Sequence, residues 1–591
     1  MIDNNTKKGT FLNLILAVLL TAAFVAGVRL FYVFTYGVID DPFIETVLSG
    51  AYTGELDAHV VYIKYPLAWI LKTLFSIWPK VNWHFHLLTG CFGASAFLVT
   101  FRICSNVKKI INKILLSILF LLLFLFCLAR LYTTAHYSMS AGVLTGTGIF
   151  YFLTIKDGCK RTNRILNYIV CFLLLYLAYC LRARTLFMLL PLAFVAFLYK
   201  FFSSKPAFTK QNIIRWILFP VILFVGIGAL ELSHRAAYRG EEWKAFLSFN
   251  DARTTMYDFY GVPPYEGNEA FYEELGISQE RLFMYKDRYY LEFTDGMQDD
   301  FLNRMADRAV EESYEKVPMG ERIGLTLKSL WPNLNEKSYR PMSLITMGLL
   351  LLMLIAAIIT RHWRLLVHTL LVIPASLIPW LYMIYMGRPV ARVASAIWYA
   401  GLLFLLGLLI DHAEPLGSFL EKKAGKSSAG KVIAKVLIAA VLMAAIILGI
   451  RADYGKIEKQ VRGFIASGKV RAQLEEWCES SPENLYVCES DVITLGFNEK
   501  QMDGSLQNLY WPGGWPSKMP QAKTIWERFG ISSIESAVLE NEHVYLIAFE
   551  ESDMTYWTDF YRKEGKSVKL NQTETLEFDG VRFAVYQLQG N

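Results

Sequence analysis

Long apolar runs separated by short charged loops dominate this chain. They recur at 11–34, 84–103, 112–131, 138–155, 165–181, 185–202, 212–232, 341–360, 364–386, 391–411 and 431–450. A helix needs roughly 20 apolar residues to cross hydrocarbon, so the pattern predicts about eleven transmembrane helices. Residues 62–78 are apolar too, but Lys64, Pro66 and Lys72 interrupt them. That fits an amphipathic helix lying in the interface better than a span. The first run contains Ala22-Ala23-Phe24-Val25-Ala26-Gly27, a faint signal-peptidase pattern. It is longer than the roughly 7–15 apolar residues of a secretory signal and reads as an uncleaved first span.

Lys and Arg positions orient the runs, because cytoplasmic loops carry the excess of both. With Lys7 and Lys8 inside, the inner loops hold Lys108, Lys109 and Lys113; Lys156, Lys160, Arg161 and Arg164; and Lys200, Lys205 and Lys210. Arg361 and Arg364, then Lys422, Lys423, Lys426 and Lys431, complete the inner set. The outer segments are the Asp40-Asp41 loop, a turn near Tyr132, residues 181–185, loop 233–340 and residues 387–392. Four parts follow: a membrane module at 1–232 with its first outer loop at 35–83, an extracytoplasmic loop at 233–340, further membrane helices at 341–450, and an extracytoplasmic domain at 451–591. In the loop, Tyr272-Glu273-Glu274-Leu275-Gly276 has the form of a helix end with a glycine cap. The last part opens helical through Trp477. It continues with β-prone runs at 485–492, 544–549 and 581–588, predicting a small α/β domain. Between them Trp511-Pro512-Gly513-Gly514-Trp515-Pro516 predicts a rigid aromatic loop.

Composition supports the membrane assignment. The chain of 591 residues is 54% hydrophobic and 19% charged, where soluble proteins average about 25% charged. The formal net charge of +6 is dispersed in short loops, with no basic stripe for nucleic acid. Cys91, Cys104, Cys127, Cys171 and Cys180 read as packing residues, and Cys159 sits in a basic loop. Cys478 and Cys488 could form one disulfide in an oxidising compartment.

The candidate chemistry lies where charges break the pattern. Asp40 and Asp41 follow the first span, where carboxylates are costly unless hydrated or functional. Asp41 before Pro42 fits a helix N-cap, which leaves Asp40 freer for proton transfer. Neighbouring carboxylates push one pKa upward toward that of a useful base. Alternatively both could hold a divalent cation, Mg2+ or Mn2+. Arg182, Arg184, Arg388 and Arg392 lie on the outer side against the orientation rule, and their planar forks suit bidentate phosphate contact. Snorkelling to ordinary headgroups is the plain alternative. Lys64 is a further outer cation that could meet a phosphate. His136, Tyr62, Asp251, Arg253 and Asp258 could complete a site, although His136 reads first as a polar cap and Asp251, Arg253 and Asp258 as solvated or loop-stabilising groups; Trp511 and Trp515 could stack on sugar rings, with a structural turn as the default. His84 and His86, two apart on a helix, point to different sides and do not pair as ligands.

An uncleaved first span, an acidic pair in the first outer loop, and the stretch Tyr65-Pro66-Leu67 behind it resemble the GT-C superfamily. These polytopic glycosyltransferases use polyprenyl-phosphate sugars and include protein mannosyltransferases and aminoarabinose transferases. The resemblance is carried by residues 11–200, with Asp40-Asp41-Pro42 as the acidic first-loop motif; loop 233–340 aligns with no family motif. It implies a GT-C-like fold in the cell membrane and transfer of a sugar from a polyprenyl-phosphate donor to a glycan, lipid or protein acceptor on the outer face. In that mechanism Asp40, assisted by Asp41, deprotonates the acceptor hydroxyl. Arg182, Arg184, Arg388 and Arg392, with Lys64, stabilise the departing phosphate. Loss of one such positioned donor raises a barrier by on the order of 3–4 kcal/mol. A flippase of lipid-linked saccharides would instead concentrate ionisable groups near the bilayer midplane, and a non-catalytic scaffold for envelope assembly would need none of them.

Overall fold

The computed structural model describes residues 7–156, 161–203, 208–412, 428–495 and 508–590. Cys159, Lys160, Lys205, Lys422, Lys423 and Lys426 lie outside them. Every apolar run is helical. The first quarter of the chain comprises α1 (Lys7–Phe31), β1 (Thr35–Tyr36), α2 (Asp40–Ser49), α3 (Tyr65–Ile77), α4 (Trp83–Asn106), α5 (Ile110–Thr133), β2 (Thr134–Ala135) and α6 (Tyr137–Leu153). Next come α7 (Arg161–Met188), α8 (Leu190–Ser203) and α9 (Lys210–Ala237). Helices α10 (Glu241–Thr254), α11 (Glu269–Glu274), α12 (Gln279–Lys286), α13 (Phe301–Lys316) and α14 (Met319–Leu334) build loop 233–340, with a π-helix at Thr255–Tyr260 after α10. The final membrane helices are α15 (Arg340–Ile359), α16 (Trp363–Tyr385) and α17 (Ala391–Asp411).

Among the described residues eight helices are long and apolar enough to cross a membrane: α1, α4, α5, α7, α9, α15, α16 and α17. The chain is a multi-pass helical membrane protein. The other three runs expected to span are helical in different ways. Helix α6 has only 17 residues, and α8 only 14. The run at 431–450 forms the start of a 52-residue helix, α18 (Ser428–Glu479). Runs 165–181 and 185–202 meet at Arg182, whose extended backbone (φ −161°, ψ 94°) interrupts α7.

Every residue of α6 is buried. Its glycines let α17 approach closely: a Cβ on Gly142 would stand 2.3 Å from that of Ala396, and one on Gly146 would stand 3.1 Å from the Cα of Ala400. Small residues spaced by four give membrane helices this intimate contact, where dispersion rather than hydrophobicity drives association. One turn before Ala396 lies Arg392, so the same contact brings that guanidinium beside the N-terminus of α6.

The loops expected on one side of the membrane gather at one end of the bundle. Strands β1 and β2 pair in parallel, Thr35 with Thr134 and Tyr36 with Ala135, and join the acidic loop to the turn before α6. The Lys64 N–H donates to the Cys180 carbonyl (2.7 Å) and fixes the start of α3 to the end of α7. At the other end Lys200 Nζ donates to the Ile155 carbonyl (2.6 Å), and Arg102 Nε to Thr154 (2.9 Å).

Loop 233–340 is mostly helical. The predicted helix end is present: α11 stops at Glu274, Gly276 has φ +70°, and the Ile277 N–H closes on the Tyr272 carbonyl (2.8 Å). Helix α14 exposes Met319, Ile323, Leu327 and Trp331, four positions one turn apart that form an apolar stripe leading into α15.

Beyond α18, strands β3 (Leu485–Cys488), β4 (Leu509–Tyr510), β5 (Val544–Phe549), β6 (Val568–Phe578) and β7 (Val581–Gly590) form a sheet in the order β4-β3-β5-β7-β6. Strands β3, β4 and β5 are parallel; β6 and β7 run antiparallel to their neighbours. The α/β expectation holds, although the 485–492 run ends as a strand at Cys488. Cys478 and Cys488 are buried free thiols, not a disulfide. Loop 233–340 docks on this domain through Arg281, whose fork meets both Glu535 oxygens (2.7 and 3.1 Å).

Candidate functional site

Helix α2 starts on the acid pair and separates the two side chains. Ile39, not Asp41, holds the N-cap position, with no side-chain cap. Asp41 is fully buried. Its Oδ1 accepts from His84 Nε2 (2.9 Å) and from the Tyr137 N–H (3.3 Å), tying the starts of α2, α4 and α6 together. Burial raises its pKa to about 6, against the opposing pull of His84. Asp41 is therefore no part of an open site, which corrects the expectation that it assists Asp40 directly. Asp41 turns to His84, whereas Asp40 lines the cavity described next. Among the described residues no cluster of three or more His, Cys, Asp or Glu side chains is placed to hold a metal.

Asp40 faces a cavity of about 810 Å³ at the loop-bearing end of the bundle. Arg182, Arg184, Arg253, Arg388 and Arg392 line the same cavity, with Tyr62, Tyr137, Ser138 and Asp258. Phe187, Met188, Pro191, Ile378, Pro379, Met383 and Val393, from the membrane helices, form its apolar wall. All four arginines singled out in the sequence thus meet Asp40 in one space. Burial pushes the Asp40 carboxyl upward, while a hydrogen bond from Trp515 and the charges of Arg253, Arg392 and Arg182 pull it back.

The guanidiniums differ in their neighbours. Arg182 lies over the rings of Tyr62 (4.9 Å) and Tyr137 (5.4 Å), which are themselves stacked 5.4 Å apart. Arg253 donates to the Tyr62 hydroxyl (3.1 Å) and to Asn250 (3.0 Å). Arg388 pairs with Asp258 at 2.9 Å, both one-quarter to one-third exposed. Arg182, Arg184 and Arg392 form no salt bridge among the described residues, which leaves three forks for an incoming anion.

Two backbone features sit at this cavity. Tyr62 has φ +78°, a left-handed conformation that costs a bulky residue free energy and that surrounding structure must impose. The π-helix Thr255–Tyr260 closes with the Gly261 N–H on the Met256 carbonyl (2.8 Å) and turns Asp258, Phe259 and Tyr260 toward the cavity. Such single π turns are frequent at functional sites.

The remaining candidates fall outside the cavity. Lys64 pairs with Glu231 (2.7 Å) and lines a smaller neighbouring cavity of about 240 Å³, together with Asp251; neither reaches Asp40. Tyr62, Arg182, Arg184 and Asp258 line both cavities. His136 is buried as the N-cap of α6, where its Nδ1 accepts the Ser138 N–H (2.9 Å). Trp515 is buried and donates its indole N–H to Asp40 Oδ1 (3.0 Å), so its face is not free for a sugar. Trp511 stacks on Phe43 (6.1 Å). Both tryptophans are packed in the structural turn that is the default reading of their loop, and neither is an open stacking platform.

No family model matches the chain, and none of the curated proteins does. Among solved structures it is similar to the crystal structure of ArnT from Cupriavidus metallidurans bound to undecaprenyl phosphate. That match has 11% sequence identity, covers 98% of this chain and 97% of that chain, and has a TM-score of 0.43. The chemistry below rests on this chain's own residues.

Proposed function

We propose that this protein is a membrane glycosyltransferase that takes a sugar from a polyprenyl-phosphate donor, with Asp40 as the base and the arginine cluster as the phosphate site. The observation that carries the reading is the cavity itself: two carboxylates, Asp40 and the Asp258 paired with Arg388, and five guanidiniums face an apolar wall made by membrane helices. A headgroup with a phosphate and a hydrocarbon tail satisfies both surfaces, whereas a soluble sugar nucleotide would leave the apolar wall unused.

The acceptor hydroxyl gives its proton to Asp40 as its oxygen attacks the anomeric carbon. The bond from that carbon to the phosphate oxygen breaks, and the polyprenyl phosphate leaves with the electron pair. A single displacement inverts the anomeric centre. Charge grows on the leaving phosphate, where Arg182, Arg184, Arg388 and Arg392 stand ready, and donors fixed before reaction stabilise it without reorganising. Arg253 holds Tyr62 against this group. Asp41 and His84 act as a buried brace that aims α2.

The protein would act in the cell membrane with its site on the extracytoplasmic side, as the distribution of Lys and Arg requires. Membranes containing the protein and a radiolabelled polyprenyl-phosphate sugar should release polyprenyl phosphate, and Asp40→Asn should stop release while leaving the protein inserted. Undiminished release by that variant removes Asp40 from the role. Label that crosses the bilayer uncleaved would instead identify a flippase.

A further inference from the structure

The residue that contacts the Asp40 carboxylate belongs to neither the first loop nor the membrane bundle. It is Trp515, 475 positions further along, in the C-terminal domain. Its loop is wedged among three parts of the chain. The Tyr52 hydroxyl, just past α2, donates to the Pro516 carbonyl (3.1 Å). The indole packs edge-on against Phe43 (6.3 Å) and Tyr62 (6.0 Å). A Cβ on Gly513 would stand 2.5 Å from the Tyr289 carbonyl oxygen of loop 233–340, and one on Gly514 (φ +69°) would stand 2.6 Å from the Trp511 ring. Both glycines are therefore required for the loop to reach its place.

We infer that Trp515 is a positioning residue: its indole N–H holds Oδ1 of Asp40 and leaves Oδ2 as the oxygen that receives the acceptor proton. Resting on the glycosyl-transfer reading, this makes the soluble C-terminal domain an integral part of a site whose base lies in the membrane module. A carboxylate with one oxygen tied to a buried donor has a single open face, so the acceptor hydroxyl is registered against one atom. The charged and titratable groups around Asp40 are Asp41 on its own helix, Tyr62, Tyr137, Arg182, Arg253 and Arg392, with Arg184, Arg388 and Asp258 lining the same cavity. Trp515 is the group that meets its Oδ1 through a directed hydrogen bond.

Trp515→Phe keeps the ring and removes the donor; Phe43→Leu loosens the same packing and keeps the donor. Two readouts are needed. The first is the pH dependence of polyprenyl-phosphate release, whose acid limb is independent of how much protein folds. In Trp515→Phe that limb moves to higher pH and kcat falls about tenfold to a hundredfold, the loss expected for a hydrogen bond to a charged group. KM for the donor stays near the parent value, and Phe43→Leu leaves the limb in place. The second readout needs no turnover: dicyclohexylcarbodiimide modifies protonated carboxyls, and peptide mass spectrometry gives the pH midpoint of Asp40 labelling. That midpoint rises in Trp515→Phe alone. A midpoint equal to the parent's in Trp515→Phe, or one that rises equally in Phe43→Leu, overturns the inference. Parent membranes that release no polyprenyl phosphate refute the glycosyl-transfer reading instead, and the labelling still decides whether Trp515 holds Asp40.

Discussion

The ion pair of Arg388 with Asp258 gives two substitutions opposite signs. In the free protein Arg388 meets an internal carboxylate at 2.9 Å, so an incoming phosphate must compete with Asp258 for one guanidinium. Removing the guanidinium (Arg388→Ala) deletes a phosphate contact. Removing the rival charge (Asp258→Asn) frees the contact and lifts a repulsion from the phosphate. Two unit charges about 4 Å apart interact by about 4 kcal/mol at the effective dielectric near a protein surface. The two side chains are 32% and 26% exposed, and solvent screening and side-chain entropy reduce the net value of such a pair to about 1 kcal/mol. Arg388→Ala should therefore weaken polyprenyl-phosphate binding about fivefold, and Asp258→Asn should tighten it by a similar factor. Titration of labelled polyprenyl phosphate into protein in lipid nanodiscs, at two salt concentrations, measures both. If the pair only braces the loop against the helices, both substitutions weaken binding together, and the phosphate assignment of Arg388 fails. Unchanged affinity in Arg388→Ala fails it as well.

Two further predictions follow from packing and burial. Gly142→Ala forces a Cβ to within 2.3 Å of Ala396, whereas Gly228→Ala on α9 meets nothing within 4 Å; the first should cost about 1–3 kcal/mol and the second almost nothing, as measured by melting in detergent. Equal melting temperatures would show that α6 and α17 part readily. Asp41, with its pKa raised to about 6 by burial, binds its proton more tightly in the folded state than in the unfolded chain. The stability it contributes is then complete below about pH 4 and is lost as pH rises through about 6. Thermal stability should decline over that interval, and Asp41→Asn should remove this part of the decline; an unaltered slope would assign it to other groups.

Local sequence under-represents several features for identifiable physical reasons. Strand β6 lies outside the β-prone runs, although Asp579-Gly580 stands between it and β7 with φ of +48° and +80°, the paired left-handed turn that Asp-Gly signals in hairpins. Helix α14 does not stand out from loop 233–340 because a stripe of four apolar residues among charges has a low average hydropathy and is visible only at a period near 3.6. The neighbours of Asp41, Asp40 and Pro42, point to a helix cap, yet its partner is His84, 43 residues away. For Trp511 and Trp515 the sequence leaves a sugar platform and a structural turn both open, because nothing local reveals what covers an indole.

The chain's own pattern determined the apolar helices and singled out the arginines that lie between them. These follow from the transfer cost of each segment between water and hydrocarbon, a property of local composition that acts before any tertiary contact. Only the tertiary structure decided that Asp40 enters the cavity while Asp41 turns away, that Lys64 is held by Glu231, and that Arg253 and Asp258 join the cluster. It alone brought a tryptophan of the C-terminal domain to the base. Those outcomes depend on short-range contacts between segments hundreds of residues apart, where a glycine facing an alanine or one hydrogen bond sets the register, and linear spacing carries no record of them.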